Sequence, residues 1–141
     1  MGTTHWKSNL ETTGTITSTG LISGPSKRAV AQSALVGATV VLTAADSGKV
    51  LINRSTSGSP SWTLPTNVAG LWFTFVVAST TAGFTVTGGT IKAKTNAAGT
   101  AISGTTLTNT QGTAVVGDTI TLVADGTNWV MVAQSGIFAA A

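Results

Sequence analysis

The residues able to do chemistry are few and far apart. The 141-residue chain holds one histidine and no cysteine. His5 stands near the N-terminus with no partner at a useful spacing, so a contact or solvent role outweighs general-base work. Asp46, Asp118 and Asp125 each stand at a glycine-containing turn signal, where Asp accepts hydrogen bonds from its own backbone and tolerates tight geometry. A hydrolase needs a nucleophile beside a base, two carboxylates held at different pKa values, or a metal cluster, and no spacing here assembles one. The three carboxylates could meet around Ca²⁺ only through long-range folding, for there is no dense Asp/Asn loop of the kind that hard cation selects. The reading is of a non-enzymatic protein with no catalytic residue, cofactor or metal.

Binding chemistry is better represented. Four tryptophans offer broad faces, which stack on sugars or bury in a partner. Trp72 and Trp129 lie in strongly apolar runs and read as core. Trp62, between Ser61 and Thr63 and close to Pro65, fits either the core or an edge contact. Trp6, in a segment with little else to bury it, reads as an anchor in another chain. Lys27 with Arg28 and Lys92 with Lys94 are the only cationic clusters, and a net charge of +3 without a basic stripe argues against nucleic acid. Asn53-Arg54-Ser55 is a glycosylation sequon without a secretory signal to support it. The longest strongly apolar run, Leu71 to Ala78, is far short of the ~20 residues a spanning helix needs, so no membrane partner is expected.

The elements that must position these residues follow from composition. Only 8% of the chain is charged and 42% is hydrophobic, so its surface must be clothed in neutral polar groups. The chain has 28 Thr and 13 Ser, and many of the Thr alternate with Val, Ile, Leu or Phe as half-buried strands do. Residues 1–36 read as an extended N-terminal arm and linker, and residues 37–141 as one β body. In the arm Trp6, Leu10, Ile16, Leu21 and Ile22 are spaced too sparsely for a core of their own, which marks them as contacts to another surface. Arg28 to Val36 is the one stretch compatible with a short helix.

The body reads as a single antiparallel β-sandwich or barrel-like domain of about ten short strands. Val40 and Leu42 share a face of the first strand, Lys49 to Arg54 forms the next, and Trp62 with Leu64 marks a third that Pro65 ends. From Leu71 to Val77 both faces are apolar, so that strand is central or covered by a neighbouring subunit. Gly88-Gly89 is expected to turn a hairpin between Phe84–Thr87 and Thr90–Lys94. Asp125-Gly126 does the same between Thr119–Ala124, with Ile120 and Leu122 inward, and Asn128–Gln134, with Trp129 and Met131 on one face. The Thr- and Gly-rich stretch from Asn96 to Asp118 predicts shorter, looser strands. Ile137, Phe138 and the terminal alanines make an apolar end that would be a liability in a monomer.

Four runs carry a family likeness: T-A-A-D-S-G-K-V-L-I-N (Thr43 to Asn53), W-T-L-P (Trp62 to Pro65), A-G-L-W-F-T-F-V-V (Ala69 to Val77) and G-D-T-I-T-L-V-A-D-G-T-N-W (Gly117 to Trp129). Together they resemble small β-structured virion proteins of tailed bacteriophages, above all the capsid decoration, or cement, proteins. The likeness spans roughly the last hundred residues and rests on turns and strands. It implies a homotrimer on the capsid exterior, assembled in the host cytoplasm, with arms reaching over the major capsid protein. Trp6, Leu10, Ile16, Leu21 and Ile22 are then the capsid-contact candidates, and Trp62, Ile137 and Phe138 the trimer-interface candidates. Phage fibre and tail proteins share such a body, so a receptor-binding domain for host-surface glycan is the alternative expectation.

Overall fold

The computed structural model describes residues 30–33, 39–79, 81–96, 98–109 and 113–141. Within them all regular structure is β, apart from one 3-10 turn at Ala44–Asp46. The strands are β1 (Val30–Ser33), β2 (Thr39–Val41), β3 (Val50–Asn53), β4 (Ser61–Thr63), β5 (Trp72–Val77), β6 (Phe84–Lys94), β7 (Ala101–Asn109), β8 (Thr119–Ala124), β9 (Trp129–Ser135) and β10 (Ala139–Ala140).

The chain does not double back after each early strand. It crosses between two columns, so that β1, β3 and β5 lie parallel, with Val30, Val50 and Thr74 side by side. Likewise β2, β4 and β6 lie parallel, with Val40, Trp62 and Val86 side by side. The segment 54–71, between β3 and β5, contains a strand of the other column and is long enough for the crossover that a parallel pair needs. The β8–β9 hairpin joins the columns: β8 is antiparallel to β5 and to β9, and β9 is parallel to the far end of β6. Strand β7 runs antiparallel to β6, and β10 antiparallel to β7. The sheet is therefore mixed and curled into a half-barrel, which corrects the all-antiparallel expectation.

Alternate residues point into the curl. Leu51, Phe73, Phe75 and Val77 meet Trp62, Phe84, Val86 and Leu107 there, with Ile120, Leu122, Trp129 and Phe138. The Trp62 ring centre lies 5.3 Å from that of Phe75 and 5.5 Å from that of Phe84, and Phe73 lies 5.6 Å from Trp129. These are the tilted and edge-on contacts aromatic rings favour. Strand β5 is central, between β3 and β8, with Phe73, Phe75 and Val77 inward. Trp72, expected in the core, is half-buried on the other side, where a Cβ on Gly48 would lie 3.6 Å from its ring.

Three further expectations are corrected. Residues 30–33, inside the stretch compatible with a helix, form β1, because the free edge of β3 offers strand hydrogen bonds that outweigh a modest helix preference. Gly88-Gly89 lies inside β6 rather than at a hairpin. Gly88 has φ +154°, and a Cβ there would stand 2.7 Å from the Leu64 Cβ, so glycine serves close approach and not reversal. The β6–β7 register shifts across this point, between Thr87 and Ile91, and β6 passes from β4 to β9. The reversal comes later, where Thr95 N–H donates to Thr100 O at 3.0 Å. Finally, the Asn96–Asp118 stretch holds β7, which at nine residues is among the longer strands. The Asp125-Gly126 turn joins β8 to β9 as expected, with Gly126 at φ +95°.

Candidate functional site

Each aspartate is committed to backbone. Thr43 N–H and Oγ1 donate to Asp46 Oδ2 at 2.8 and 2.7 Å, and Lys49 Nζ pairs with Oδ1. The Lys49 bond, followed by the Thr43 bonds, holds the Asp46 carboxyl at about 2, below its ordinary 3.8. At the β8–β9 turn, Asn128 and Thr127 N–H donate to Asp125 Oδ1 at 2.6 and 2.7 Å and lower its pKa. Asp118 is buried, and its Oδ2 accepts from Asn109 Nδ2 at 2.9 Å and Val115 N–H at 3.0 Å. Among the described residues, no three of His, Cys, Asp or Glu are grouped to hold a metal ion.

A buried polar ladder runs along the flank where the chain leaves the first column. Asn53 Nδ2 donates to Ala82 O at 2.8 Å and Gly83 O at 2.6 Å, while Asn53 Oδ1 accepts from Ser55 N–H at 2.8 Å. Ser79 Oγ donates to Ser55 O and accepts from Ala82 N–H at 3.1 Å. At the end of β7 a second buried amide, Asn109, donates to Asp118 and to Ile137 O, the latter at 3.2 Å, while its Oδ1 is buried without a hydrogen-bond partner among the described residues. Buried amides with several partners rigidify what they join. Here they fix the Val115 turn and the Ile137 segment around one Asp118–Asn109 hub, leaving Val115, Val116 and Ile137 exposed, the last by 57%.

The outer surface of the β2 column has a different chemistry. With Trp62, Val86 and Leu107 inward, Ser61, Thr85 and Thr108 stand outward in one row across β4, β6 and β7, and Thr63, Thr87 and Thr106 in the next. Thr63 and Thr87 hydroxyls lie 3.3 Å apart. These rows present hydroxyl groups without charge. The described residues thus offer two uncharged features: exposed Val115, Val116 and Ile137 on the segments that meet the hub, and a hydroxyl face on the sheet.

The residues singled out by sequence fall differently. Trp6, Leu10, Ile16, Leu21 and Ile22, with His5, lie outside the described residues. Trp62 and Phe138 are core residues, exposed by 1% and 2%, so as trimer-interface candidates they offer a partner no surface; the curl of the sheet encloses one and the Phe84 ring covers the other. Ile137 alone of the three is exposed. Val115 and Val116 join it, and their signal was an apolar pair beside Gly117 outside any alternating run. No protein-family model matches this chain, and no curated protein matches it significantly.

Proposed function

We propose that this protein is a structural virion protein of a tailed phage, one that binds the outside of the capsid as a homotrimer and cements the mature shell. The observation that carries this reading is the exposure of Val115, Val116 and Ile137 on two segments that meet at a buried hub, in a chain with few charges. Exposed apolar groups on a rigid base favour association, and a C3 arrangement would place three knobs together around one axis. The segment before β1, with Trp6 as its leading anchor, then reaches the major capsid protein. Ligation to the expanded shell stabilises it by mass action, and three linked footholds raise the effective concentration of each. The four sequence runs that resemble decoration proteins support the same reading.

The test is cosedimentation of the full chain with empty mature heads, alongside its mass in solution. The reading predicts a trimer that pellets with heads, and an Ile137→Asp chain that remains folded but is monomeric and binds heads poorly. The hydroxyl rows on β4, β6 and β7 favour a second reading, a tail-fibre or receptor-binding domain for neutral host glycan. Glycan retention without head binding would select it.

A further inference from the structure

The two columns are built alike inside the curl and unlike outside it. Across β4, β6 and β7 the outward residues are Ser and Thr. Across β3, β5, β8 and β9 the outward side is largely apolar. Trp72, Val123 and Val130 stand in one row, and Val50, Ile52 and Val76 extend the surface over β3 and β5. All six are half-buried. The ten strands belong to a single sheet, so among the described residues no second sheet lies over this side. A central strand with apolar residues on both faces belongs in a sheet covered on both.

The polar groups on this side are already satisfied. The Thr74 and Thr121 hydroxyls lie 2.9 Å apart, and Thr119 Oγ1 donates to Phe75 O at 2.8 Å. Hydroxyls bonded within their own sheet can be taken out of water without a new partner. Strands β3, β5, β8 and β9 also hold no Asp, Glu, Lys or Arg.

We propose that this outer face of β3, β5, β8 and β9 is the surface on which copies of the chain pack against one another in the homotrimer. Charge and size select a copy as the occupant. Identical faces gathered around a symmetry axis set like groups against like, which repels charged faces and spares a face with none. Four strands ~4.8 Å apart, about six residues long at ~3.3 Å each, cover roughly 400 Å². That is about half of the ~800 Å² that each side of a standard interface buries. A single foreign partner seated there is held weakly, whereas a closed ring adds the contacts of every protomer to one assembly. The inference rests on the homotrimer of the proposed function and not on what the trimer binds.

Val123→Lys sets a charge between Trp72 and Val130, with a stem long enough to reach water in a monomer. Its solution mass should fall to that of one chain, while the near-ultraviolet dichroism of the buried Trp62 and Trp129 persists. Thr87→Lys, on the hydroxyl face, should stay trimeric; equal dissociation of both variants overturns the assignment to this face. A trimeric Val123→Lys chain also overturns it, and one that no longer pellets with empty heads makes the face a coat contact instead. An unmodified chain that is monomeric overturns it in favour of a cover within the chain. Trimers that ignore heads count against the virion reading alone and leave the face assigned. Trp72 gives a readout that needs no added charge. Dilution of the unmodified chain through dissociation should shift its fluorescence to longer wavelength, and Trp72→Phe should abolish the shift. A shift that persists in Trp72→Phe overturns the proposal.

Discussion

Asp118 joins three parts of the chain at one buried point. Its carboxylate accepts from Asn109 and from the Val115 turn, and Asn109 in turn holds Ile137 O. Replacing it with alanine leaves the Val115 N–H and one of the two Asn109 amide N–H groups without that acceptor, at a cost of about 1–3 kcal/mol. Urea unfolding of Asp118→Ala should show that loss, together with faster exchange of the Val115 amide. Asp46 makes a pH-dependent contribution. Its folded pKa is below the unfolded value, so its stabilisation is present above 3.8 and is lost as the pH falls from there through about 2. An acid titration of unfolding should therefore show a decline in that window that Asp46→Asn lacks, and equal slopes in the two proteins would count against the Thr43–Lys49 contacts. The turn roles of Asp46 and Asp125 were legible because both contacts are local, within three residues. The Asp118–Asn109 contact joins the last residue of β7 to the residue before β8, nine positions apart, a distance no local pattern encodes.

Among the elements, the β8–β9 hairpin was readable for the same reason: Asp-Gly between two alternating runs dictates both turn and partner. Gly88-Gly89 carries the same local signature and means something else, because its surroundings decide. Leu64 packs where a Cβ would stand, and β6 must pass from β4 to β9 without stopping. Gly88→Ala should cost roughly 1–3 kcal/mol from overpacking and an unfavourable φ, measurable as a lower urea midpoint. A substitution without cost would show that the Leu64 contact is not a constraint. Strand identity was broadly legible from alternation of Thr with aliphatic residues; strand direction was not. Whether β3 meets β5 in parallel or antiparallel depends on where residues 54–71 travel, and alternation is blind to that. The placement of Trp72 shows a related limit, since both faces of β5 are apolar and only the curl of the sheet decides which is inside.

At the scale of the whole molecule, the hub's exposed Val115, Val116 and Ile137 and the outer hydroxyl rows carry no charge, and the proposed reading uses both for recognition. Attachment through such surfaces depends on packing and hydrogen bonds, so it should resist salt where charge-driven binding would weaken. The apolar composition at Ile137 was legible as a tail that needs cover, whereas its companions Val115 and Val116 became apparent only when the hub brought distant segments together. The most direct measurement is cosedimentation of the full chain with empty mature heads across a salt series, with the solution mass determined on the same sample. The account predicts a trimer that pellets with heads to a similar extent from about 50 mM to 500 mM salt, a range over which the screening length falls severalfold. A monomer that stays in the supernatant at every salt concentration would contradict it.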